Sequence, residues 1–309
     1  MTRRGVFQLI LMVIIIVDLI SGNGLSQKTG DFNDLSISIN VTRRDFLPCE
    51  PVTFSITMAN KTSRPIQAHT MINPAYGFVE FYFAKDTEFE KANASGRWPS
   101  MTAMLGKDVL LEPGFRRSAK SDLFYSHGKN LGEEPGKYVL SAPGTYRIKS
   151  IFKSQRGEKK VESNIVTVNV KEPTGVNLAA YEFIERVRVD KELYYGDFLL
   201  TYFIKNITTK GQKEVDKKEE FLSLFSKSQY ARYMEYSLGI SYITQQDDIL
   251  FRRGVKLLKK ATGYRNFFLA EDVSEWLIRE TRDRGEVDKA KEYQAEIAEK
   301  LPDSPLARD

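Results

Sequence analysis

Apolar and polar residues alternate along much of the first half of the chain. The segments 35–41 and 52–58 each place an apolar side chain at every second position. A β-strand directs such a set to one face, whereas a helix would scatter it around its circumference. The sequence therefore predicts strands there, and it offers further strand candidates at 78–84, 108–111, 146–152 and 161–170.

Turn-forming residues separate these runs. They are 60–65, Glu112-Pro113-Gly114 and Ala142-Pro143-Gly144, and such Pro and Gly combinations interrupt strands. Six or seven short strands with breaks of this kind predict two sheets packed face to face.

The first half resembles the bacterial immunoglobulin-like sandwiches, including those of the intracellular proteinase inhibitor type. The resemblance rests on three stretches, namely 52–60 leading to Arg64-Pro65-Ile66, the turn 111–114, and the Pro-Gly-Thr-Tyr turn that enters 143–148. It covers about residues 34–170 and implies a fold, not a function. The segment 86–107 exceeds a minimal sandwich and is either a binding loop or a disordered excursion, with Trp98 favouring an ordered loop.

The periodicity becomes helical after residues 171–175, where Pro173 and Gly175 stop the last strand. Asn177 is the predicted helix cap. Apolar residues then recur at helical spacing, namely Ala180, Phe183, Ile184 and Val187. The Lys-rich stretch 208–220 is predicted to be an exposed connection, and helical periodicity resumes from Phe221 onward, including a stripe of Val287, Ala290, Gln294, Ile297 and Leu301.

The helical half resembles the tetratricopeptide repeat, whose period is about 34 residues. Gly285, Ala290 and Pro302 match its inter-helix glycine, small alanine and terminal proline, and 238–242 matches its first-helix pattern. Phe251 departs from that pattern, so a plain helical bundle is the alternative. We therefore expect a multidomain protein of the all-β plus all-α class. An immunoglobulin-like β-sandwich over 27–172 would precede antiparallel, tetratricopeptide-like helical hairpins over 173–309.

The first 26 residues have the zones of an export signal. Arg3 and Arg4 precede an apolar run, and small residues surround Ser26. We expect a signal peptide over 1–26 and an extracytoplasmic protein, either periplasmic or secreted. A retained N-terminal membrane anchor is the alternative, although Asp18 interrupts the run short of the ~20 apolar residues that a membrane span needs.

Residue types that support catalysis are scarce. The chain has one cysteine, Cys49, and two histidines, His69 and His127, which are interpreted as exposed or hydrogen-bonded loop residues. No metal-binding spacing, nucleophile elbow or phosphate loop is present. We expect no catalytic, metal-binding or cofactor-binding residues, no cofactor and no enzymatic activity. An unrecognised hydrolase is the alternative, because 41 acidic residues offer many carboxylate pairs.

One predicted helix carries five basic residues away from its apolar face, namely Arg252, Arg253, Lys256, Lys259 and Lys260. They form either a strip for an anionic partner, such as a membrane surface, an acidic protein or an envelope polymer, or an ordinary solvated face. The net charge of +5 does not indicate nucleic-acid binding.

These features predict a non-catalytic scaffold that binds a protein or peptide partner in the envelope or outside the cell. The alternative is an envelope protease inhibitor or a polysaccharide-binding module that acts through the sandwich loops, with Trp98 as its contact residue. The oligomeric state is left open.

Overall fold

The computed structural model describes residues 29–72, 77–92, 108–126, 137–190, 198–200, 208–264, 267 and 269–300. The predicted signal peptide, His127 and Trp98 lie outside the described residues, as does most of the 86–107 segment.

The strands occupy the first part of the chain. In chain order they are β1 (Leu35–Val41), β2 (Asp45–Phe46), β3 (Val52–Asn60), β4 (Ile66–Ala68), β5 (Val79–Ala84), β6 (Glu90–Lys91), β7 (Val109–Leu111), β8 (Arg116–Leu123), β9 (Tyr125–Ser126), β10 (Lys137–Tyr138), β11 (Gly144–Lys153), β12 (Lys160–Glu162) and β13 (Val166–Val170). A short 3-10 helix, Phe32–Asp34, precedes β1.

The helices follow the strands. They are α1 (Val176–Arg188), α2 (Thr209–Phe225), α3 (Ala231–Ile243), α4 (Asp248–Thr262), α5 (Ala270–Asp283) and α6 (Val287–Lys300).

Two of the sheets enclose a hydrophobic core. One has the order β1-β3-β8, and the other has the order β2-β13-β11-β5-β6 with β12 added against β11. Phe54 of the first sheet stacks on Phe81 of the second, with ring centroids 4.9 Å apart. The predicted alternation is confirmed in β3, where every second side chain from Val52 is buried.

The strand β8 was not predicted from the sequence. Only Leu123 of its eight residues is buried, so the strand has no alternating apolar signal. It nevertheless pairs with β3 along its whole length. Its exposed Arg116, Arg117 and Lys120 suit a strand at the edge of a sheet, where charge discourages pairing with another chain.

The four apolar residues predicted to line one face of α1 are all buried. The predicted cap is wrong, because Gly175, with a φ of 55°, occupies the N-cap position and makes no side-chain hydrogen bond. The side chain of Asn177 instead accepts a hydrogen bond from the backbone N–H of Gln229, at 2.8 Å.

The prediction of an exposed connection over 208–220 is also wrong. Helix α2 occupies most of that stretch, and Thr208 caps it by accepting a hydrogen bond from Gly211 N at 3.2 Å. The helix buries Val215 and Phe221 but also Glu214 and Lys218. Because two of its buried positions are charged, its sequence does not show the continuous apolar face of an amphipathic helix.

Helix α3 lies in the interior of the helical region. Every residue of α3 except Arg232 is buried, and α2, α4 and α5 pack against it. Tetratricopeptide helices, by contrast, stack mainly on their neighbours in an array. The predicted apolar stripe of α6 is wrong at its first position, since Val287 is 51% exposed.

The predicted fold class is wrong. The chain is not an all-β immunoglobulin-like domain followed by tetratricopeptide-like helical hairpins, because one hydrophobic cluster contains residues of both parts. Leu47, Cys49 and Phe124 of the strand region belong to the same cluster as Phe183 and Met234 of the helices. The structure is therefore a mixed α and β fold in which the helices follow the strands and complete a shared core.

No helix among the described residues has both the length and the apolar character required to cross a bilayer.

Candidate functional site

Helix α4 carries the five predicted basic residues, and its local sequence explains its orientation. Asp247 caps its N-terminus by accepting hydrogen bonds from Ile249 N and Leu250 N, both at 2.8 Å. Phe251 and Leu258 are buried on its inner side. The opposite side therefore faces solvent.

Two glycines bring α4 close to α3. A Cβ atom at Gly254 would lie 2.8 Å from the carbonyl oxygen of Gly239 and 2.7 Å from Ile243 Cγ2. A Cβ atom at Gly239 would lie 2.7 Å from Leu258 Cγ. The two backbones therefore approach more closely than any other residue allows, and this contact determines which face of α4 is exposed.

Three of the five basic residues are engaged with neighbouring helices. Arg253 forms an ion pair with Glu219 of α2 at 2.7 Å. The Nζ atom of Lys259 lies 5.1 Å from the centroid of the Tyr293 ring of α6. Lys260 forms an ion pair with Glu235 of α3. These side chains hold helices together, so they are less available to an outside partner.

The pair of Glu235 and Lys260 shows how a basic residue of α4 compensates a carboxylate that is buried on α3. The Glu235 side chain is completely buried, whereas that of Lys260 is half exposed. Burial raises the pKa of the Glu235 carboxyl group, and the hydrogen bond to Glu235 raises the pKa of Lys260. Lys260 therefore supplies the charge that a buried carboxylate requires.

Arg252 and Lys256 differ from the other three. Both are exposed, and neither makes an ion pair, hydrogen bond or ring contact in the part of the chain that the structure describes. They lie one helical turn apart, on the side that also carries Ile249, which is 75% exposed. We call Ile249, Arg252 and Lys256 the α4 patch.

Metal ligands, a thiol and an imidazole are the other groups that could form a site. Within the described ranges, no group of three or more His, Cys, Asp or Glu side chains could hold a metal ion. Cys49 is completely buried, with its Sγ atom 3.6 Å from Glu185 Oε1. His69 is buried and hydrogen-bonded rather than exposed. Trp98, the predicted loop contact, lies outside the described residues.

The sequence could indicate the orientation of the basic residues but not their engagement. Helical spacing alone places all five away from the apolar face. Their partners Glu219 and Glu235 come from two other helices, so only the tertiary structure separates the α4 patch from the engaged residues. The exposed Ile249 carried no signal of its own, because an apolar residue in a helix is ordinarily assigned to the core.

No protein-family model matches the chain, and no curated protein sequence matches it. Among solved structures, a mutant beta-glucosidase from Listeria innocua in complex with laminaribiose is 12% identical, over 46% of this chain and 16% of its own, with a TM-score of 0.26. The sporulation control protein Spo0M from Bacillus subtilis is 9% identical, over 50% of this chain and 56% of its own, with a TM-score of 0.25. The chain spans about a sixth of the length of the Listeria enzyme.

Proposed function

We propose that the protein is a non-catalytic binding protein that acts outside the cytoplasm and contacts a protein or peptide partner through the α4 patch. The observation that supports this proposal is the difference among the five basic residues. Three of them serve the fold, whereas Arg252 and Lys256 do not.

The composition of the α4 patch favours an acidic partner segment that carries an apolar residue. Two neighbouring cations attract such a segment over several ångströms and orient its approach. Ile249, at 75% exposure, has apolar surface to bury in the contact, and full burial of an aliphatic side chain contributes about 1.5–3 kcal/mol. Exposed ion pairs contribute about 0.2–1 kcal/mol each, so the isoleucine supplies affinity and the cations supply selectivity.

The export prediction supports an extracytoplasmic setting for this contact. Residues 1–26 carry the charge and the apolar run of a signal peptide. The proposal that this segment is removed on export, and not retained as an anchor, rests on the interruption by Asp18.

The test compares partner capture by three forms of the mature protein. They are the wild type, the double variant Arg252→Glu/Lys256→Glu, and a control, Lys61→Glu/Arg116→Glu, which makes the same change of net charge at two exposed positions of the strand region. Affinity capture from the native envelope is followed by cross-linking to locate the contact. We expect wild type and control to retain the same partner with cross-links near α4, and the α4 variant to lose it.

The salt dependence provides a second measurement, because screening of exposed charges weakens this binding as ionic strength rises. A partner that the Arg252→Glu/Lys256→Glu protein retains at wild-type level would overturn the proposal. So would binding to anionic vesicles without any protein partner, since that result would assign the patch to a membrane surface.

A further inference from the structure

A cleft lies in the strand region, far along the chain from the α4 patch. Its volume is about 390 Å³, which is in the range of small-molecule sites. Three separate segments form its walls. They are the start of the described chain up to Phe32, Gln67 of β4 together with Asp108 just before its partner strand β7, and the turn 154–159 between β11 and β12.

One wall of the cleft carries a carboxylate that makes no ion pair or hydrogen bond among the described residues. Asp108 lines the cleft, and its Oδ1 atom is buried without a hydrogen-bond partner among the described residues. A buried acceptor without a donor lowers the stability of the folded protein by about 1–3 kcal/mol, and a charged acceptor lowers it by more. The Oδ1 atom itself is closed to the cleft, but the Asp108 side chain as a whole is only partly buried and makes no ion pair among the described residues, so its charge can attract a cation in the cleft.

A second acceptor without a donor lies close to the first. His69 is completely buried, and its Nε2 atom lies 2.9 Å from the carbonyl oxygen of Lys153. Because a carbonyl only accepts, Nε2 carries the hydrogen, and Nδ1 is left as an acceptor without a partner among the described residues. His69 does not line the cleft, but Asp108 is near enough to interact electrostatically with it. A neutral His69 leaves the charge of Asp108 uncompensated.

Another wall of the cleft presents an unpaired cation. Arg156 is exposed and makes no ion pair or hydrogen bond in the described ranges. Its position is set by a tight turn in which Gly157, with a φ of 73°, donates to the carbonyl of Ser154 at 2.8 Å. Lys159 N donates to Ser154 Oγ at 3.1 Å in the same turn. Only glycine adopts this φ without strain, so the turn is built to hold its shape.

The remaining charges balance the cleft. Glu158 and Lys159 also line it, and Lys159 is paired with Asp31 at 3.0 Å. The lining therefore combines two acidic and two basic side chains, which disfavours a ligand with a large net charge. A ligand that carries one positive and one negative group is complementary to Asp108 and Arg156.

We propose that this cleft binds a small zwitterionic ligand with an amine and a carboxylate, such as a free amino acid or a dipeptide, with its ammonium group at Asp108 and its carboxylate at Arg156. The ammonium group supplies the positive charge that Asp108 lacks among the described residues, and the planar guanidinium group of Arg156 suits a carboxylate. This site is separate from the partner contact at the α4 patch, so either can fail without the other.

The test is isothermal titration calorimetry of the full mature chain with L-alanyl-L-alanine, its N-acetyl derivative and its C-terminal amide. We expect the free dipeptide to bind and each capped form to bind at least about tenfold more weakly, because each has lost one charged hydrogen-bonding group. Asp108→Asn and Arg156→Gln should each weaken binding of the free dipeptide by about tenfold or more. The control Arg117→Gln, on an exposed position of β8, should leave it unchanged.

Asp108→Asn could fail to fold because part of the side chain is buried. Arg156 is exposed, so Arg156→Gln still tests the proposal in that case. Equal binding of the free and capped dipeptides would overturn the proposal, and so would the absence of binding at 10 mM dipeptide (roughly the weak limit at which a specific site is useful). Binding of the neutral disaccharide maltose in place of the dipeptide, if abolished by Asp108→Asn, would also overturn it by assigning the cleft to another ligand class.

Discussion

The buried histidine shows how one residue can make the stability of the chain depend on pH. His69 packs against Phe78 and Phe152, with ring centroids 3.9 and 4.7 Å apart. Burial lowers its pKa below the ordinary value of 6.5, although the nearby carboxylate of Asp108 acts in the opposite direction. The folded protein therefore keeps His69 neutral at pH values where the unfolded chain protonates it.

The sign of the resulting pH dependence follows from proton binding. Below about pH 6.5 the unfolded state binds a proton that the folded state excludes, so the free energy of unfolding decreases as the pH falls from 6.5 towards the folded pKa. We expect His69→Gln to show a smaller loss of stability between pH 7.5 and 5.5 than the wild type. The maximum contribution is about 1.4 kcal/mol per pH unit within that window.

The measurement is urea unfolding at the two pH values for wild type, His69→Gln and His127→Gln. The last variant is a matched control because it removes the chain's other histidine. Equal pH dependence of the wild type and His69→Gln would show that His69 is not the group that titrates.

At the scale of single elements, the crossing of α3 and α4 depends on the absence of side chains. A Cβ atom at Gly254 would meet backbone atoms of Gly239 and Ile243, each at 2.8 Å. Backbone cannot rotate away as a flexible side chain can, so the two helices would have to separate.

We therefore expect Gly254→Ala to lower the free energy of unfolding by about 1–3 kcal/mol, the usual cost of overpacking. In an unconstrained helix the same change is stabilising by about 1 kcal/mol, so the sign of the effect is diagnostic. Chemical denaturation measures it, with Ser223→Ala at an exposed position of α2 as the control, expected within about 0.5 kcal/mol of wild type. A stabilised Gly254→Ala protein would contradict the close crossing.

The elements that could be predicted from sequence are those whose burial follows a regular period. β1 and β3 alternate, and the buried face of α1 repeats at helical spacing. α2 could not be predicted, because the buried Glu214 and Lys218 form an ion pair at 3.2 Å that no spacing rule identifies as interior. α3 has the opposite character, since it is buried on nearly all sides and has no polar face to reveal its orientation.

At the scale of the molecule, a buried ion-pair network joins the strand region to the helices. The completely buried carboxylate of Glu50 pairs with Arg43 at 2.8 Å and with Arg232 of α3. It also accepts hydrogen bonds from Tyr233 Oη at 3.0 Å and from Leu47 N at 2.8 Å. The two regions are therefore joined by an ion pair as well as by apolar contacts.

Because removing one partner of a buried ion pair leaves an uncompensated charge, we expect Glu50→Gln to lower the free energy of unfolding by about 3–5 kcal/mol. The control Glu162→Gln breaks the more exposed pair with Lys149 and should cost at most about 1 kcal/mol. Thermal and urea unfolding measure both. If the two variants lost equal stability, Glu50 would not be a structural link between the regions.

The organisation of the whole molecule was less accessible from sequence than its elements. The composition changes between β13 and α1 as it would at a boundary between independent domains, and such a boundary predicts the wrong fold class. Glu50 and Arg232 are 182 residues apart along the chain, and local patterns contain no record of such a contact. The same holds for the cleft, which Asp108 and Arg156 line from segments that look unrelated in sequence.

The position of Cys49 has a practical consequence. It is the only cysteine in the chain, its thiol is completely buried, and it lies within the core that strands and helices share. A thiol-reactive dye can label it only when that core opens. The labelling rate therefore measures how often the two regions separate, and it can be measured in the natural protein without introducing another cysteine.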